Sequence, residues 1–301
     1  LHNLVDVGSG PVVLDEVNQI VMAIDPSFDM SFQNTVYKDI ESLFEGNFPG
    51  YRRSNTGYHD LEHTRSVYLA AARLMHGFVL SGRDLTEHHL NLGLASALFH
   101  DVGLIQKSTE RKGTGARFTV GHETRSARFA TQYLLSHGFT SEDTVDCDHI
   151  IECTRLDMDF PSIPFSSEPV KQLGQLVGTA DILAQMADRM YLEKLLLLYL
   201  EFKEAKINNV SSELDMLNNT RVFYEDLVLK RFSTDFSGAD AFESLHFYNR
   251  WGVEKDLYKE AIQANLDYLD TILASGQNAY RRLLRRGGIV QSLSPDSEDG
   301  I

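Results

Sequence analysis

Apolar residues recur every three to four positions along most of this chain, and this spacing limits its fold more than any other feature. Such spacing gives an α-helix one apolar face. It predicts helices at 12–24 and 32–44, separated by the break Asp25-Pro26-Ser27. Almost no segment shows the alternation with a period of two that marks a half-buried strand. The sequence therefore predicts an all-α protein, folded as a compact bundle of many helices.

The helical pattern continues to about residue 285 without a low-complexity linker or an internal repeat. Further helices are predicted at 64–80, 86–99 (with Thr86 as its N-cap), 120–137, 141–155, 167–208 (as one helix or two in succession), 211–230 and 253–275. We therefore expect one domain over residues 10–285, ending in a C-terminal helical extension. Aromatic-rich helices in 210–285 could cover a pocket or form a homodimer interface. The tail, 286–301, loses the apolar pattern and is expected to be disordered.

The charge and hydropathy of the chain exclude several classes of partner. It has 43 acidic and 28 basic residues and a net charge of −15. A nucleic-acid polymer or an anionic membrane is bound by clustered Lys and Arg, so neither partner is expected. The longest apolar run, 195–200, is too short to cross a bilayer, and we see no signal peptide.

Cys147 and Cys153 are the only cysteines. They form no CxxC motif, and reduced thiols predict a soluble, cytoplasmic protein.

Polar residues follow or interrupt two predicted helices at positions where buried apolar surface is expected. His100-Asp101 comes directly after the apolar segment 92–99, and Asp181 interrupts the apolar run 176–184. Burying an unpaired imidazole or carboxylate costs free energy, which a shared metal ion would remove. The alternatives are a hydrogen-bonded Asp–His pair in the core and, for Asp181, an ion pair with Arg189. A metal site is the interpretation that accounts for both segments together.

Two histidines lie four residues apart in Tyr58-His59-Asp60-Leu61-Glu62-His63. On a helix this spacing places His59 and His63 on one face, about one turn apart. The pair could chelate one metal ion. Alternatively, one imidazole binds the metal while the other faces a substrate.

These residues resemble the motifs of a known superfamily. His63, His100-Asp101 and Asp181 resemble the H…HD…D signature of HD-superfamily metal-dependent phosphohydrolases, over about residues 50–200. Tyr58-His59-x-x-x-His63 is similar to the YHNxxH motif of class I cyclic nucleotide phosphodiesterases, with Asp60 in place of Asn. The resemblance implies an HD-type helical bundle in which His63, His100, Asp101 and Asp181 bind a divalent metal. It also implies that His59 is the general acid.

Two further histidines extend the resemblance to the H…HD…H…H…D order of two-metal HD proteins. His122 opens a predicted helix, and His149 lies on the next one. The resemblance implies a second ion held by His122, His149 and a bridging Asp101. The alternative is a helix-start residue at 122 and a surface residue at 149. The donors do not distinguish Fe, Mn, Zn, Ni or Mg.

The function implied by the resemblance is hydrolysis of a nucleotide-like phosphate ester by a metal-activated water, with His59 and Asp101 as the catalytic residues. Lys107 and Arg125 are candidates for binding the phosphate of this small substrate. Two other functions stay open. One is a di-iron oxygenase of the HD type, and the other is a catalytically silent HD module that binds a nucleotide.

Overall fold

The computed structural model describes residues 1–276 and 279–293 of the chain. Within these residues the regular structure is helical and contains no β-strand, which confirms the predicted all-α fold. The α-helices are Gly10–Ile24 (α1), Ser31–Glu45 (α2), Leu61–Leu80 (α3), Glu87–Phe99 (α4), His122–Ser136 (α5), Ser141–Glu152 (α6), Glu168–Met186 (α7), Tyr191–Ala205 (α8), Glu213–Val222 (α9), Phe242–Trp251 (α10), Leu257–Ala274 (α11), Tyr280–Leu283 (α12) and Ile289–Ser292 (α13). Short 3-10 helices span Val102–Leu104, Gly115–Phe118, Phe160–Ser162, Ala239–Ala241 and Arg286–Gly288. None of these helices combines the length and the apolar character needed to cross a lipid bilayer.

Helices α3, α4 and α7 form the centre of the bundle. Helix α3 packs against α1, α4, α7 and α10, and α7 packs in addition against α6. In α4, every residue from Leu92 to Phe99 is buried. A helix that is apolar on all sides must be covered on all sides. By contrast, α1 buries one face, which includes Val13, Val17 and Ile20. His63 at the start of α3 and His100-Asp101 at the end of α4 therefore lie inside the protein.

Side-chain caps fix where the central helices begin. The Asp60 side chain accepts a hydrogen bond from the backbone N–H of His63 at 2.8 Å, which caps α3 and orders its first turn. Thr86 caps α4 through the backbone N–H of His89 at 3.2 Å. The predicted N-cap at Thr86 is therefore confirmed.

Of two long predicted segments, one divides into two helices, as the sequence allowed, and the other changes helix type. The segment 167–208 forms two helices, α7 and α8, separated by a turn in which Asp188 Oδ1 accepts from the Met190 N–H at 2.8 Å. The segment 211–230 forms α9 and then continues as π-helix over Phe223–Val228, with a second π-helical stretch at Arg231–Asp235. Two helices in succession are thus confirmed for 167–208, but the periodicity did not locate the break or reveal the change of helix type.

The predicted disordered tail, 286–301, differs from the structure in its first part. Arg286–Gly288 and Ile289–Ser292 are short helices, and Val290 is buried. Helix α13 packs against α8, so a short apolar contact orders this segment. Residues 294–301 lie outside the described residues.

A buried pair of histidines joins α3 to α10. His76 Nδ1 and His246 Nδ1 are 2.9 Å apart, and both side chains are buried. Burial lowers the pKa of His246 to about 2, and the positive charges of Arg73, His76 and Arg250 act in the same direction. This histidine is therefore neutral in the folded protein at neutral pH.

Candidate metal centre

Four helices bring five of the predicted ligands together. His63 lies in the first turn of α3, His100 and Asp101 follow α4, His122 is the first residue of α5, and Asp181 lies within α7. Because helix ends and one helix face converge here, residues up to 118 positions apart in sequence become neighbours, as the contact of His63 with Asp181 shows. The site is thus built by the bundle and not by a local motif.

Three of these residues form a buried group that could hold a metal ion. One ligand atom from each of His63, His100 and Asp101 lies within 4.8 Å of the others. His100 Nε2 is 3.3 Å from His63 Nε2 and 3.1 Å from Asp101 Oδ2. Asp181 Oδ1 joins them at 3.2 Å from His63 Nε2 and 3.7 Å from His100 Nε2. The group therefore presents two imidazole nitrogens and two carboxylate oxygens at one point.

The second oxygen of Asp101 faces another imidazole. His122 Nε2 lies 3.1 Å from Asp101 Oδ1, whereas His63 and His100 lie near Oδ2. A carboxylate with its two oxygens directed at different sets of donors can bridge two cations. The bridging role of Asp101 between two ions stays a prediction.

Backbone hydrogen bonds fix which ring nitrogen of two histidines faces the cluster. His100 Nδ1 is 2.8 Å from the Ala97 carbonyl oxygen, and His122 Nδ1 is 2.8 Å from the Thr119 carbonyl oxygen. A carbonyl oxygen only accepts, so each Nδ1 carries a proton and donates it. In the neutral ring, Nε2 then presents a lone pair to the cluster, as metal-binding histidines do.

The electrostatics of the cluster favour added positive charge. Burial raises the pKa of Asp101, but the imidazoles of His100, His59 and His122 outweigh it and hold that pKa well below its usual value. Burial likewise lowers the pKa of His100, yet the Asp101 and Asp181 carboxylates raise it to about 9. In addition, the buried Asp101 Oδ2 forms no well-aligned hydrogen bond within the described residues, although His100 Nε2 lies 3.1 Å away. An oxygen left in this way costs free energy, which a cation would remove.

His59 lies at the edge of the cluster and is held by an acidic residue from α8. Its Nδ1 is 2.6 Å from Glu201 Oε2, while Glu201 Oε1 accepts from the Tyr58 backbone N–H at 2.7 Å. The His59 ring centroid lies 6.2 Å from that of His63 and 6.0 Å from that of His122. Burial lowers the pKa of His59, but the charges of Asp101 and Glu201 raise it to about 9. At neutral pH this imidazole is therefore protonated.

Glu201 is a functional candidate that the sequence reasoning missed. It is buried, and it follows the apolar run 195–200 in the same way that Asp101 follows 92–99. A buried acidic residue after an apolar run was therefore an available signal. The pattern alone does not show which imidazole such a residue meets.

His149, the sixth predicted ligand, is placed apart from these contacts. It lies on α6 with its ring 6.1 Å from that of Phe165. Its Nδ1 is buried and has no hydrogen-bond partner in the described part of the chain. Across 1–276 and 279–293, no ion pair joins His149 to Asp101. Its role as a ligand stays a prediction.

The two predicted phosphate-binding residues line a different cavity, of about 290 Å³, with Tyr51 and Phe129. Lys107 is exposed there. Arg125 already has partners, because its Nη2 is 3.0 Å from Glu110 Oε2 and its Nε donates to the Gly103 carbonyl oxygen at 2.7 Å. A phosphate at Arg125 would therefore have to compete with Glu110.

Comparison with known proteins gives one partial similarity. A family model described as Npun_R2479-like matches residues 106–237, which is less than half of the chain. No curated protein and no solved structure matches the chain. The matched segment includes His122, His149 and Asp181, but it begins after His63 and His100-Asp101 and so does not include them. The family match therefore spans α5 to α9 and covers only part of the candidate metal centre.

Proposed function

We propose that this protein is a metal-dependent phosphohydrolase of the HD type that hydrolyses a nucleotide-like phosphate ester. One observation carries the proposal: the buried carboxylate of Asp101 lies between His63 and His100 on one side and His122 on the other. A purely structural ion pair would need only one of these imidazoles. Three imidazoles around one carboxylate make a ligand set of the kind that binds divalent ions and leaves positions open.

The residues fit the ions that the proposal requires. His63, His100, Asp101 and Asp181 would hold the first ion. His122 and the other oxygen of Asp101 would contribute to a second, for which His149 is the remaining candidate. A bound divalent ion supplies positive charge that polarises the phosphoryl oxygens and makes a coordinated water acidic enough to attack phosphorus near neutral pH.

His59 would donate the proton that the leaving group needs. As the P–O bond breaks, the departing oxygen gains negative charge, and a protonated imidazole beside it stabilises that charge by donating a proton. The contact of His59 Nδ1 with Glu201 orients the ring and leaves Nε2 as the donor. Because Glu201 lies outside the ligand set, its charge favours the protonated imidazole whether or not an ion is bound.

The proposal is tested by metal analysis followed by a substrate panel. The purified protein is stripped with EDTA, reloaded with Mn²⁺, Mg²⁺ or Fe²⁺, and assayed on nitrophenyl phosphate mono- and diesters and on linear and cyclic nucleotides. We expect phosphate-ester hydrolysis that requires the metal. His100→Ala and Asp101→Ala should lose metal and activity together, whereas His59→Ala should keep the metal and lose turnover.

Three outcomes would contradict the proposed hydrolase function. Full activity in His100→Ala or Asp101→Ala would end the proposal. Bound iron with oxygen uptake and no phosphate release would support the di-iron oxygenase instead. Occupancy far below one ion per chain after reloading would support a catalytically silent module.

A further inference from the structure

A second cavity lies beside the metal centre, and one face of α3 forms a wall of it. The cavity has a volume of about 410 Å³ and is closed on other sides by residues 1–8, the end of α7 and Tyr258 of α11. Glu62, Ser66, Leu69 and Arg73 of α3 line it. Their spacing of three and four residues places them on a single helical face. The next face of α3 carries His63, so the cavity and the metal centre share this helix.

Arg73 is buried in this wall, and two of its three side-chain nitrogens have no hydrogen-bond partner among the described residues. The residue is 2% exposed, and its Nη1 donates to the Tyr258 hydroxyl at 3.0 Å. Its Nε and Nη2 are buried and have no hydrogen-bond partner among the described residues. These two nitrogens form one edge of the planar guanidinium. Two parallel N–H groups on one edge match the two oxygens of a carboxylate or a phosphate.

No carboxylate in the described residues forms an ion pair with Arg73 within 4.0 Å. The buried Glu243 of α10 does not bond to it directly, since neither Glu243 oxygen has a hydrogen-bond partner there. The rings of Phe247 and Tyr258 face the guanidinium at 5.3 and 5.7 Å, which offsets part of its charge but supplies no hydrogen-bond acceptor. A buried cation with unused donors is costly unless an anion pairs with it.

The charges around the cavity are separated along α3. Asp6, Glu62 and Asp188 lie close together at one end, and Asp188 is paired with Lys194 at 2.8 Å. Arg73 is eleven positions beyond Glu62, which is about 16 Å along the helix axis. The acidic end therefore does not occupy the donors of Arg73.

We propose that this cavity binds a small molecule carrying an oxyanion, phosphate or carboxylate, whose oxygens are held by Nε and Nη2 of Arg73. The site goes beyond the proposed hydrolysis, and it does not depend on a bound metal. Arg189 and Arg286 also line the cavity and add positive charge to it.

The experiment uses the full chain stripped of metal with EDTA, so that an anion does not bind through the metal centre. Inorganic phosphate and acetate are titrated separately by calorimetry, with sodium chloride of equal ionic strength as the reference. We expect one anion bound per chain. The tighter of the two probes then identifies the oxyanion class, and His100→Ala should bind it as the wild type does.

Two variants test the location. Arg73→Gln removes the charged edge and should weaken binding at least tenfold. Ser66→Phe leaves Arg73 in place but fills the cavity, so it should weaken binding similarly even if the Arg73 variant folds poorly. Arg83→Gln, which changes an exposed arginine stacked on Phe78 and Phe242, is the matched control and should bind normally. The proposal is overturned if the wild type binds neither anion, or if a folded Ser66→Phe binds as tightly as the control.

Discussion

Metal binding to the cluster should stabilise the folded protein, and His100→Ala should abolish that effect. His100 is 1% exposed and its Nε2 faces both His63 and Asp101. A ligand that binds only the folded state adds RT ln(1 + [L]/Kd) to the free energy of unfolding. Because the cluster is assembled from four helices, the unfolded chain does not reproduce it, so this relation applies.

The expected rise in Tm follows from the metal concentration and the length of the chain. At a metal concentration one hundred times Kd, the stabilisation is about 2.7 kcal/mol. For 301 residues the entropy of unfolding is about 0.6 kcal/mol per kelvin, so Tm should rise by roughly 4 °C. If His100→Ala weakens binding one hundredfold, the same metal concentration adds only about 0.4 kcal/mol, and the rise in Tm falls below about 1 °C.

Thermal unfolding followed by circular dichroism, in EDTA and in Mn²⁺, measures both shifts. His88→Ala is the matched control, because His88 lies on α4, the helix that His100 follows, and its Nε2 is 2.9 Å from Asp143 Oδ1, outside the cluster. It should keep the full rise in Tm. If His100→Ala shows the same metal-dependent rise as the wild type, the assignment of His100 as a ligand is refuted.

Three further predictions concern Glu201, His246 and Gly103. Glu201→Gln keeps the geometry beside His59 but removes the charge, so metal content should be unchanged and kcat should fall about 10- to 100-fold; unchanged kcat would contradict the role of His59 as proton donor. His246 has a folded pKa of about 2 against about 6.5 unfolded, so the unfolded state takes up a proton that the folded state excludes. The free energy of unfolding, measured in urea, should therefore fall by up to about 1.4 kcal/mol per pH unit as pH drops below about 6.5, with a shallower slope in His246→Gln than in the exposed Leu245→Gln. Gly103→Ala would push its new Cβ against the His122 carbonyl oxygen and the Ser126 N–H, so it should cost about 1–3 kcal/mol of stability and reduce the metal-dependent rise in Tm.

Much of the fold could be predicted from the sequence because its helices bury strongly apolar faces. The predicted segments 12–24, 32–44 and 86–99 differ from α1, α2 and α4 by no more than two residues at either end. Two helices were allowed over 167–208, but the position of the break was not predicted, because the turn contains neither Pro nor Gly and is stabilised by the Asp188 side chain. The ordered segment at 286–293 was also missed, since one buried residue, Val290, creates no periodic pattern.

The site was predictable in part for a different reason. Polar residues next to apolar helices stand out in one sequence, and His63, His100, Asp101, His122 and Asp181 lie together in the structure. Hydrogen-bond partners that lie on helices far apart in the chain cannot be recognised from the sequence in this way. Glu201 is 142 positions from His59, and Arg73 is 185 positions from Tyr258. Such pairs depend on how helices pack, which the periodicity of each helix leaves open.

The contact between two imidazole nitrogens is the feature that a purely structural Asp–His pair does not explain. His100 donates its Nδ1 proton to the Ala97 carbonyl, so its neutral ring presents a lone pair at Nε2. That lone pair faces His63 Nε2 at 3.3 Å and Asp101 Oδ2 at 3.1 Å. Atoms that only accept repel one another at these distances unless a proton or a metal ion lies between them. A hydrogen-bonded Asp–His pair that served only the fold would need one imidazole for each carboxylate, and it would need no contact between imidazoles. A proton on His100 Nε2 satisfies one of these contacts, whereas a divalent ion at this point would satisfy all of them from one position.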